Sequence, residues 1–343
     1  MRSSLRRLVA TEPGRWAVGV AARARHLPGP LGRWGEAADR LAAGSMYDDS
    51  YYRSVPDAAR DGRSGYADYR RETSNADALA VAVTTWLDVD RSLDVGCAAG
   101  FFVAAMRDLG VDARGTDVSD AAFALAPPDV RAHLHVADVA AGSGDADRSV
   151  PLVTAFEVLE HVPPRDAPAA VAEIARISSA HVVATIPSYG ANPSGPDGWF
   201  EGKVRADVLA RYLERGEGGG GPVPHADLAR DADGRLVEGH VTIASYAWWT
   251  ARFADAGFVR CHDTEALMHH DLARYGLREF VCLYVFRRPD VEEVRSPVRE
   301  PAEVAELERR HGLLDHGAPP VHVDEALDDL RTRGLSPRVA APG

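Results

Sequence analysis

From Arg70 onward the apolar and polar positions fall into a regular order. Helical spacing near 71–87 gives way to the short apolar strand Ser92-Leu93-Asp94-Val95, a turn of small residues, and a helical stretch carrying Phe102, Ala105, Met106 and Leu109. A second strand ends near Thr116, a third runs His133 to Val136, a fourth Pro151 to Ala155 and a fifth Val182 to Ile186. Short apolar strands alternating with helices predict a parallel α/β sheet joined by right-handed crossovers. Residues 188–240 break that rhythm with several prolines and the run Gly216-Glu217-Gly218-Gly219-Gly220-Gly221-Pro222. A long irregular insertion in a compact domain is either mobile filler or a cover over a site. Regularity returns with a helix around Tyr246–Ala256, a strand from Phe258 and an apolar strand from Phe280 to Phe286.

The two ends read differently. Residues 1–45 place Leu5, Leu8, Val9, Trp16, Val18 and Val20 at helical spacing between Pro13, Pro28 and Pro30, which predicts a helical arm packing on the main domain or on a second copy in a homodimer. Residues 289–343 form a polar, proline-punctuated tail with one helix near 301–311, leaving 46–288 as the main domain.

Charge narrows the partners. Among 343 residues, 39 Lys+Arg face 51 Asp+Glu, a net charge of −12, and Lys203 is the single lysine. Nucleic-acid binding draws on a basic field that this chain lacks, so a small-molecule partner is expected. Cys97, Cys261 and Cys282 are odd in number and lack metal-type spacing, which suits a reducing cytoplasm. Glu12, Pro13 and Arg15 interrupt the N-terminal apolar run, and no stretch approaches the ~20 apolar residues of a membrane span.

The sharpest chemical signal is Leu93-Asp94-Val95-Gly96-Cys97-Ala98-Ala99-Gly100-Phe101-Phe102, a strand entering a small-residue turn and then a helix. Tiny side chains let a ligand approach the backbone, and the helix N-terminus offers free N–H groups. Asp117, at the end of the next strand, suits a carboxylate that accepts both ribose hydroxyls of a nucleoside. The spacing is neither G-x-G-x-x-G nor a Walker motif, so the expected ligand is a nucleoside without a phosphate chain. Over residues 65–288 the sequence resembles the class I S-adenosylmethionine-dependent methyltransferases, which implies a Rossmann-like α/β sheet. Carried over residue by residue, the resemblance implies that Asp94, Gly96, Cys97, Ala98 and Gly100 cradle the methionine part. It further places Asp117 on the ribose, Val118 against adenine, Asp138 and Val139 at the adenine amino group, and Phe156 and Tyr69 beside the cofactor. Tyr66 and Tyr69 resemble tyrosines set over the cofactor carboxylate, with ordinary packing as the other reading. Ala98 stands where the family usually has glycine.

A second motif follows the fourth strand: Phe156-Glu157-Val158-Leu159-Glu160-His161-Val162. Were a helix to begin here, Glu157, Glu160 and His161 would share one face at the carboxyl edge of the sheet. Two carboxylates and an imidazole converging there repel unless something positive lies between them, and a divalent cation answers that. His240, in Gly239-His240-Val241-Thr242, is the candidate fourth ligand. The pattern resembles the small-RNA 3′-terminal 2′-O-methyltransferases and the ubiquinone-pathway O-methyltransferases, which implies Mg²⁺ or Mn²⁺ at Glu157, Glu160, His161 and His240 and an acceptor with two vicinal hydroxyls. A metal-free alternative makes His161 or His240 a general base.

Among other residues, His225 and the pair His269-His270 read as solvated loop positions, and Trp248 and Trp249 as a helix face packing on the sheet. Tyr189, Asn192, Trp199 and Phe200 follow the fifth strand directly, where some of them are expected to line an acceptor pocket. The expected activity is methyl transfer from S-adenosylmethionine to a small-molecule hydroxyl of a sugar or phenolic natural product. The rivals are a metal-independent N-methyltransferase, an RNA 2′-O-methyltransferase and a non-catalytic nucleoside-binding module.

Overall fold

The structure, a computed structural model, describes residues 69–192, 200–213, 220–230, 234, 236–277 and 282–314. The expected N-terminal arm, Tyr66, Trp199 and most of the tail lie outside the described residues.

Seven strands form one sheet: β1 (Arg91–Val95), β2 (Asp112–Asp117), β3 (Leu134–Val136), β4 (Val150–Phe156), β5 (Ser178–Thr185), β8 (Val259–Arg260) and β9 (Leu283–Arg287). Between β5 and β8 the chain adds β6 (Ser188–Tyr189) and β7 (Ala244–Ser245), which pair in parallel as a separate two-stranded sheet. The large sheet has the order β3-β2-β1-β4-β5-β9-β8, parallel from β3 to β5, with β9 antiparallel to both of its neighbours. This is the Rossmann-like fold expected from the alternation of strands and helices.

Helices α1 (Ala76–Trp86), α2 (Phe101–Asp108), α3 (Ala167–Ile177), the short α4 (Ala210–Leu213), α5 (Tyr246–Asp255), α6 (His262–Arg274) and α7 (Pro301–Arg310) complete the described fold. Both faces of the sheet are covered, and β4 and β9 are accordingly apolar almost throughout rather than alternating. On one face α1, α2 and α6 bury Val81, Trp86, Val103, Met106 and Leu267. On the other, α3 and α5 bury Val171, Ile174, Trp249 and Phe253 against Val153, Val182 and Phe286. Helix α5 begins where the Ser245 hydroxyl accepts the Trp248 N–H at 3.1 Å, an N-cap that satisfies a donor left free by the first turn. Its Tyr246, Trp249 and Phe253 then fall on one buried stripe, and the Phe253 ring stacks on Phe286 with centroids 4.0 Å apart. Trp249 is thus the core residue the sequence suggested.

The segment after β5 has a hydrophobic core of its own, in which Tyr189, Phe200, Val204, Tyr212, Leu228, Val241 and Ile243 pack together. It is therefore a packed unit rather than filler. Gly220 and Gly221, from its glycine run, are described, and Gly220 is held by a close approach. A Cβ there would lie 1.8 Å from the Tyr189 hydroxyl, which donates to the Gly221 carbonyl at 2.7 Å.

Several expectations are corrected. The stretch near 71–87 is a 3-10 turn at Arg71–Thr73 followed by α1, separated by Asn75 in the left-handed region (φ 59°). His269 and His270 lie on α6, and His269 is buried, which holds its imidazole down at about 4. Helix α6 escaped the sequence reading because its charged residues turn inward: Glu265 is buried and takes an ion pair from buried Arg260 at 2.5 Å, so its apolar stripe is broken by paired charge. His225 is half-buried on a short turn, its Nε2 3.3 Å from Arg230 Nη2, rather than freely solvated.

Candidate active site

The candidate residues gather at the carboxyl edge of β1, β2 and β4, the edge at which open α/β sheets bind ligands. After β1 the chain turns through Gly96 (φ 75°), Ala98 (φ 46°) and Gly100 (φ 68°), three left-handed residues in five. The Gly96 and Cys97 N–H groups donate to the Thr116 carbonyl at 2.7 and 3.0 Å, which ties the turn to the end of β2. A Cβ at Gly96 would stand 2.3 Å from Val158 Cγ2, and one at Gly100 would stand 2.9 Å from Leu134. Both positions need glycine for conformation and for space. Ala98 shares the strained conformation but carries a Cβ. Ala98→Gly is accordingly expected to raise stability by about 1 kcal/mol, lifting the melting temperature a few degrees. A thermal melt that fell instead would show that the Ala98 methyl makes a contact worth more than the strain.

Asp117 carries two N–H donors on its carboxylate, Ala98 to Oδ2 and Ser119 to Oδ1, both at 2.9 Å. A carboxylate has about four lone-pair positions, so two remain for a ligand. Burial pushes Asp117 above the usual carboxylate range while those N–H groups oppose the rise. Asp94, on β1, accepts the Thr154 hydroxyl at 2.7 Å. Burial, together with the nearby Asp117 charge and against the Thr154 hydrogen bond, raises it from 3.8 to about 7.

The unfolded chain ionises Asp94 near its ordinary value, so between about 4 and 7 the unfolded state holds fewer protons and stability falls as pH rises. Asp94→Asn keeps an acceptor for Thr154 and removes that loss. Its stability relative to the native chain should gain about 2–3 kcal/mol between pH 5 and pH 8 in urea titrations. A gap that narrowed over the same range would show that the fold supports the charge.

Around this turn Tyr69 tilts against Phe101 with centroids 4.9 Å apart, and Phe156 meets Phe102 edge-on at 5.0 Å. Val118, Asp138 and Val139 are half-buried, and the Asp138 carboxylate accepts the Ala140 N–H at 3.1 Å. The Cys97 thiol is buried and pushed well up by burial and by the charges of Asp94 and Asp117, so it is an inert packing group.

The second motif does not form the expected helix. Glu157 takes a left-handed conformation (φ 54°) as β4 ends, its N–H donating to the Thr185 carbonyl and hydroxyl at 3.0 and 3.1 Å. A single 3-10 turn, Leu159–His161, follows. This backbone still drives Glu160 inward, to complete burial. Among the described residues no N–H or hydroxyl donor is fixed on either Glu160 carboxylate oxygen, and the carboxyl of Glu157 lies within hydrogen-bonding reach of it. The cover supplies its neighbours. The Glu160 carbonyl accepts the Val241 and Thr242 N–H groups, both at 2.9 Å, which docks His240 beside it. Nε2 of His161 and of His240 stand 3.8 and 3.9 Å from Glu160 Oε1, and the two rings meet edge-on at 4.8 Å. One ligand atom from each of Glu160, His161 and His240 lies within 4.8 Å of the others. Glu157 is outside that group.

His161 Nδ1 lies 3.3 Å from the Gly239 carbonyl. A proton there leaves the Nε2 lone pair directed at Glu160, the tautomer a metal ligand needs. Burial lowers His161 to about 4 and His240 well below its usual value, and it raises Glu160, with the Glu157 charge adding to the rise. Two neutral imidazoles beside the buried Glu160 carboxylate form a set that could hold a cation. Val158, between the two acids, packs on Gly96 and joins this cluster to the glycine turn.

The residues expected to line an acceptor pocket go elsewhere. Tyr189 and Phe200 pack in the cover's core, with ring centroids 5.6 Å apart. Asn192 is buried and accepts from Arg260 at 2.9 Å. Two residues at the cluster were not foreseen, Glu238 and Lys203, which form an ion pair beside His240. The signal for Lys203 was available: it is the single lysine of the chain, and it lies in the insertion.

Comparison with known proteins bears on the domain rather than on these details. Residues 93–180 match a family described as a methyltransferase domain. No curated protein matches the sequence. Among solved structures, an amino pentose methyltransferase from Micromonospora echinaspora, involved in calicheamicin biosynthesis, is 19% identical with a TM-score of 0.42, covering 69% of this chain and 98% of its own. The magnesium protoporphyrin IX methyltransferase of Synechocystis is 14% identical with a TM-score of 0.38, covering 74% and 94%. An S-adenosylmethionine-dependent methyltransferase from Mesorhizobium loti is 18% identical with a TM-score of 0.39, covering 63% and 100%. The match begins in β1, ends in β5 and includes the glycine turn, Asp117 and the Glu160 segment, so this part of the chain is a methyltransferase domain set on a Rossmann-like sheet.

Proposed function

We propose that the enzyme is an O-methyltransferase acting on a small-molecule hydroxyl, one of a vicinal pair on a sugar or phenolic natural product. In this reading residues 46–288 are the catalytic unit, 188–240 its cover, and a reducing cytoplasm its setting. The observation that carries the reading is Glu160, a fully buried carboxylate held between two imidazoles, with the Glu157 carboxyl against it, beside the glycine turn.

Bound S-adenosylmethionine supplies a methyl on a sulfonium, ready for one in-line displacement. The turn Gly96–Gly100 offers backbone to its methionine part, and Asp94, already near its ionisation point, gives up a proton to pair with the ammonium group. Asp117, fixed by two N–H groups, has lone pairs left for the ribose hydroxyls. Asp138 and Val139 face the amino group of the base, Val118 lies against its ring, Phe156 lies beside the cofactor, and Tyr69 stands over its carboxylate.

Glu160, His161 and His240 would hold a divalent cation, Mg²⁺ or Mn²⁺, and such an ion lowers the pKa of a bound hydroxyl and acts as a Lewis acid. The chain's own part is to fix those three side chains, keep the imidazoles neutral and exclude water beneath the cover. An acceptor with two adjacent oxygens suits a site that must position one of them in line with the methyl. The acidic net charge, −12, favours a small acceptor over RNA.

A panel of sugars, catechols, monohydric phenols and amines, assayed with S-adenosylmethionine before and after exhaustive chelation, tests this. Methylation of a vicinal diol that stops on chelation and returns with Mn²⁺ is the expected result. Amine methylation that persists in chelator would identify the metal-independent N-methyltransferase instead.

A further inference from the structure

One turn of the cover, Val237–Gly239, reaches the cluster with more than His240 behind it. Glu238 sits there in the left-handed region (φ 52°), a conformation that an L-residue seldom adopts unless its surroundings impose it. Its Oε2 lies 3.7 Å from His240 Nε2, the same nitrogen that Glu160 Oε1 approaches at 3.9 Å. The next residue, Gly239, supplies the carbonyl that orients His161. Across the cover, the ammonium of Lys203 pairs with that same Oε2 of Glu238. Lys203 is 4% exposed, whereas the Glu238 side chain keeps 28% of its surface in solvent. The lysine is locked in and the glutamate retains room to turn.

The charges at this spot do not balance. Glu157, Glu160 and Glu238 would carry three negative charges against the one positive charge of Lys203 if all were ionised; burial opposes that at Glu157 and Glu160, while Glu238 keeps 28% of its side chain in solvent. A single divalent cation offsets the surplus.

We propose that Glu238 is a further protein ligand of the cation, beside Glu160, His161 and His240, and that Lys203 is the partner that competes with the cation for it. This rests on the cation reading above. Lys203 holds Glu238 while no cation is bound, and Glu238 turns from the ammonium to the cation when one enters. Because Glu238 and Lys203 both belong to the cover, cation binding and the set of the cover over the acceptor are coupled. A like charge within a few ångströms also weakens the site, so the lysine keeps the cation exchangeable.

The two variants are expected to move cation affinity in opposite directions, which a purely structural clip would not do. By calorimetry, and by the free Mn²⁺ spectrum in electron paramagnetic resonance, Lys203→Met should bind Mn²⁺ about tenfold more tightly than the native chain. Glu238→Gln should bind it about tenfold more weakly, and Lys203→Arg should match the native chain. Thermal melts without metal check the fold of each. Should Glu238→Gln fail to fold, the double variant Lys203→Met/Glu238→Gln decides, because it loses the gain of Lys203→Met if Glu238 is a ligand and keeps it if the lysine acts only as a nearby like charge. Native-like affinity in both Glu238→Gln and Lys203→Met, or weaker binding by Lys203→Met, overturns the proposal and leaves the cation reading standing. A native chain that binds no Mn²⁺ overturns both.

Discussion

Glu160→Gln is expected to abolish Mn²⁺ binding and to slow methyl transfer about 10³-fold, while S-adenosylmethionine binds within about twofold of its native affinity. A thousandfold loss corresponds to about 4 kcal/mol of transition-state stabilisation, within what acceptor activation by a bound cation supplies. The substitution is nearly isosteric, so the packing around it survives. It also removes a buried charge that stands against Glu157, and the chain should therefore be as stable as the native one or slightly more so. That combination separates a ligand from a structural group, because loss of a structural carboxylate would lower the melting temperature along with the rate. Single-turnover rates, calorimetry with S-adenosylmethionine and thermal melts on one preparation give all three readouts. Full activity in Glu160→Gln would remove the cation from the reaction.

Gly96→Ala should be the most damaging change at the cofactor turn. At φ 75° the left-handed conformation costs an alanine about 1–2 kcal/mol. Its Cβ would then lie 2.3 and 3.1 Å from the two methyl groups of Val158. Val158 is stiff at χ1, and its carbonyl is tied by the His161 N–H at 3.0 Å, so it yields only by shifting the Glu160 segment. Overpacking of this kind adds about 1–3 kcal/mol. We expect a stability loss of about 2–5 kcal/mol and at least a roughly 30-fold weaker grip on S-adenosylmethionine, read by urea titration and calorimetry. Gly110→Ala is the control: Gly110 has φ 87° but nothing within 4 Å of the place a methyl would take, so it should lose the conformational part alone. The double variant Gly96→Ala/Val158→Ala should recover the steric part. Equal losses in Gly96→Ala and Gly110→Ala would show that Val158 moves aside without effort.

The cofactor half of the site was legible because its parts lie on short stretches of chain. A strand, a small-residue turn and a helix within Leu93–Phe102 set their own geometry, and Asp117 ends the adjacent strand by the same alternation. The cation half was legible in composition only. Glu160, His161 and His240 are brought together as the sequence suggested, but by a 3-10 turn and a docked cover rather than by a helical face. Glu157, on its left-handed turn, keeps its carboxyl against Glu160 but lies outside the group that Glu160 makes with the two imidazoles, and Glu238 approaches His240 from the insertion.

What the sequence determined by itself is whatever depends on local periodicity and composition: the order of most strands and helices, the glycine turn, the acid after β2 and the acidic net charge. Tertiary structure decided what depends on contacts between distant segments. Val241 and Thr242 close over the Glu160 backbone while its carboxylate is left with imidazoles for neighbours, and Lys203 meets Glu238 across 35 residues of irregular chain. Tyr189 and Phe200 became the core of the cover for the same reason. Periodicity carries no information about such pairings, because loop segments without a repeat are positioned by the apolar surface they bury together and not by their own backbone preference.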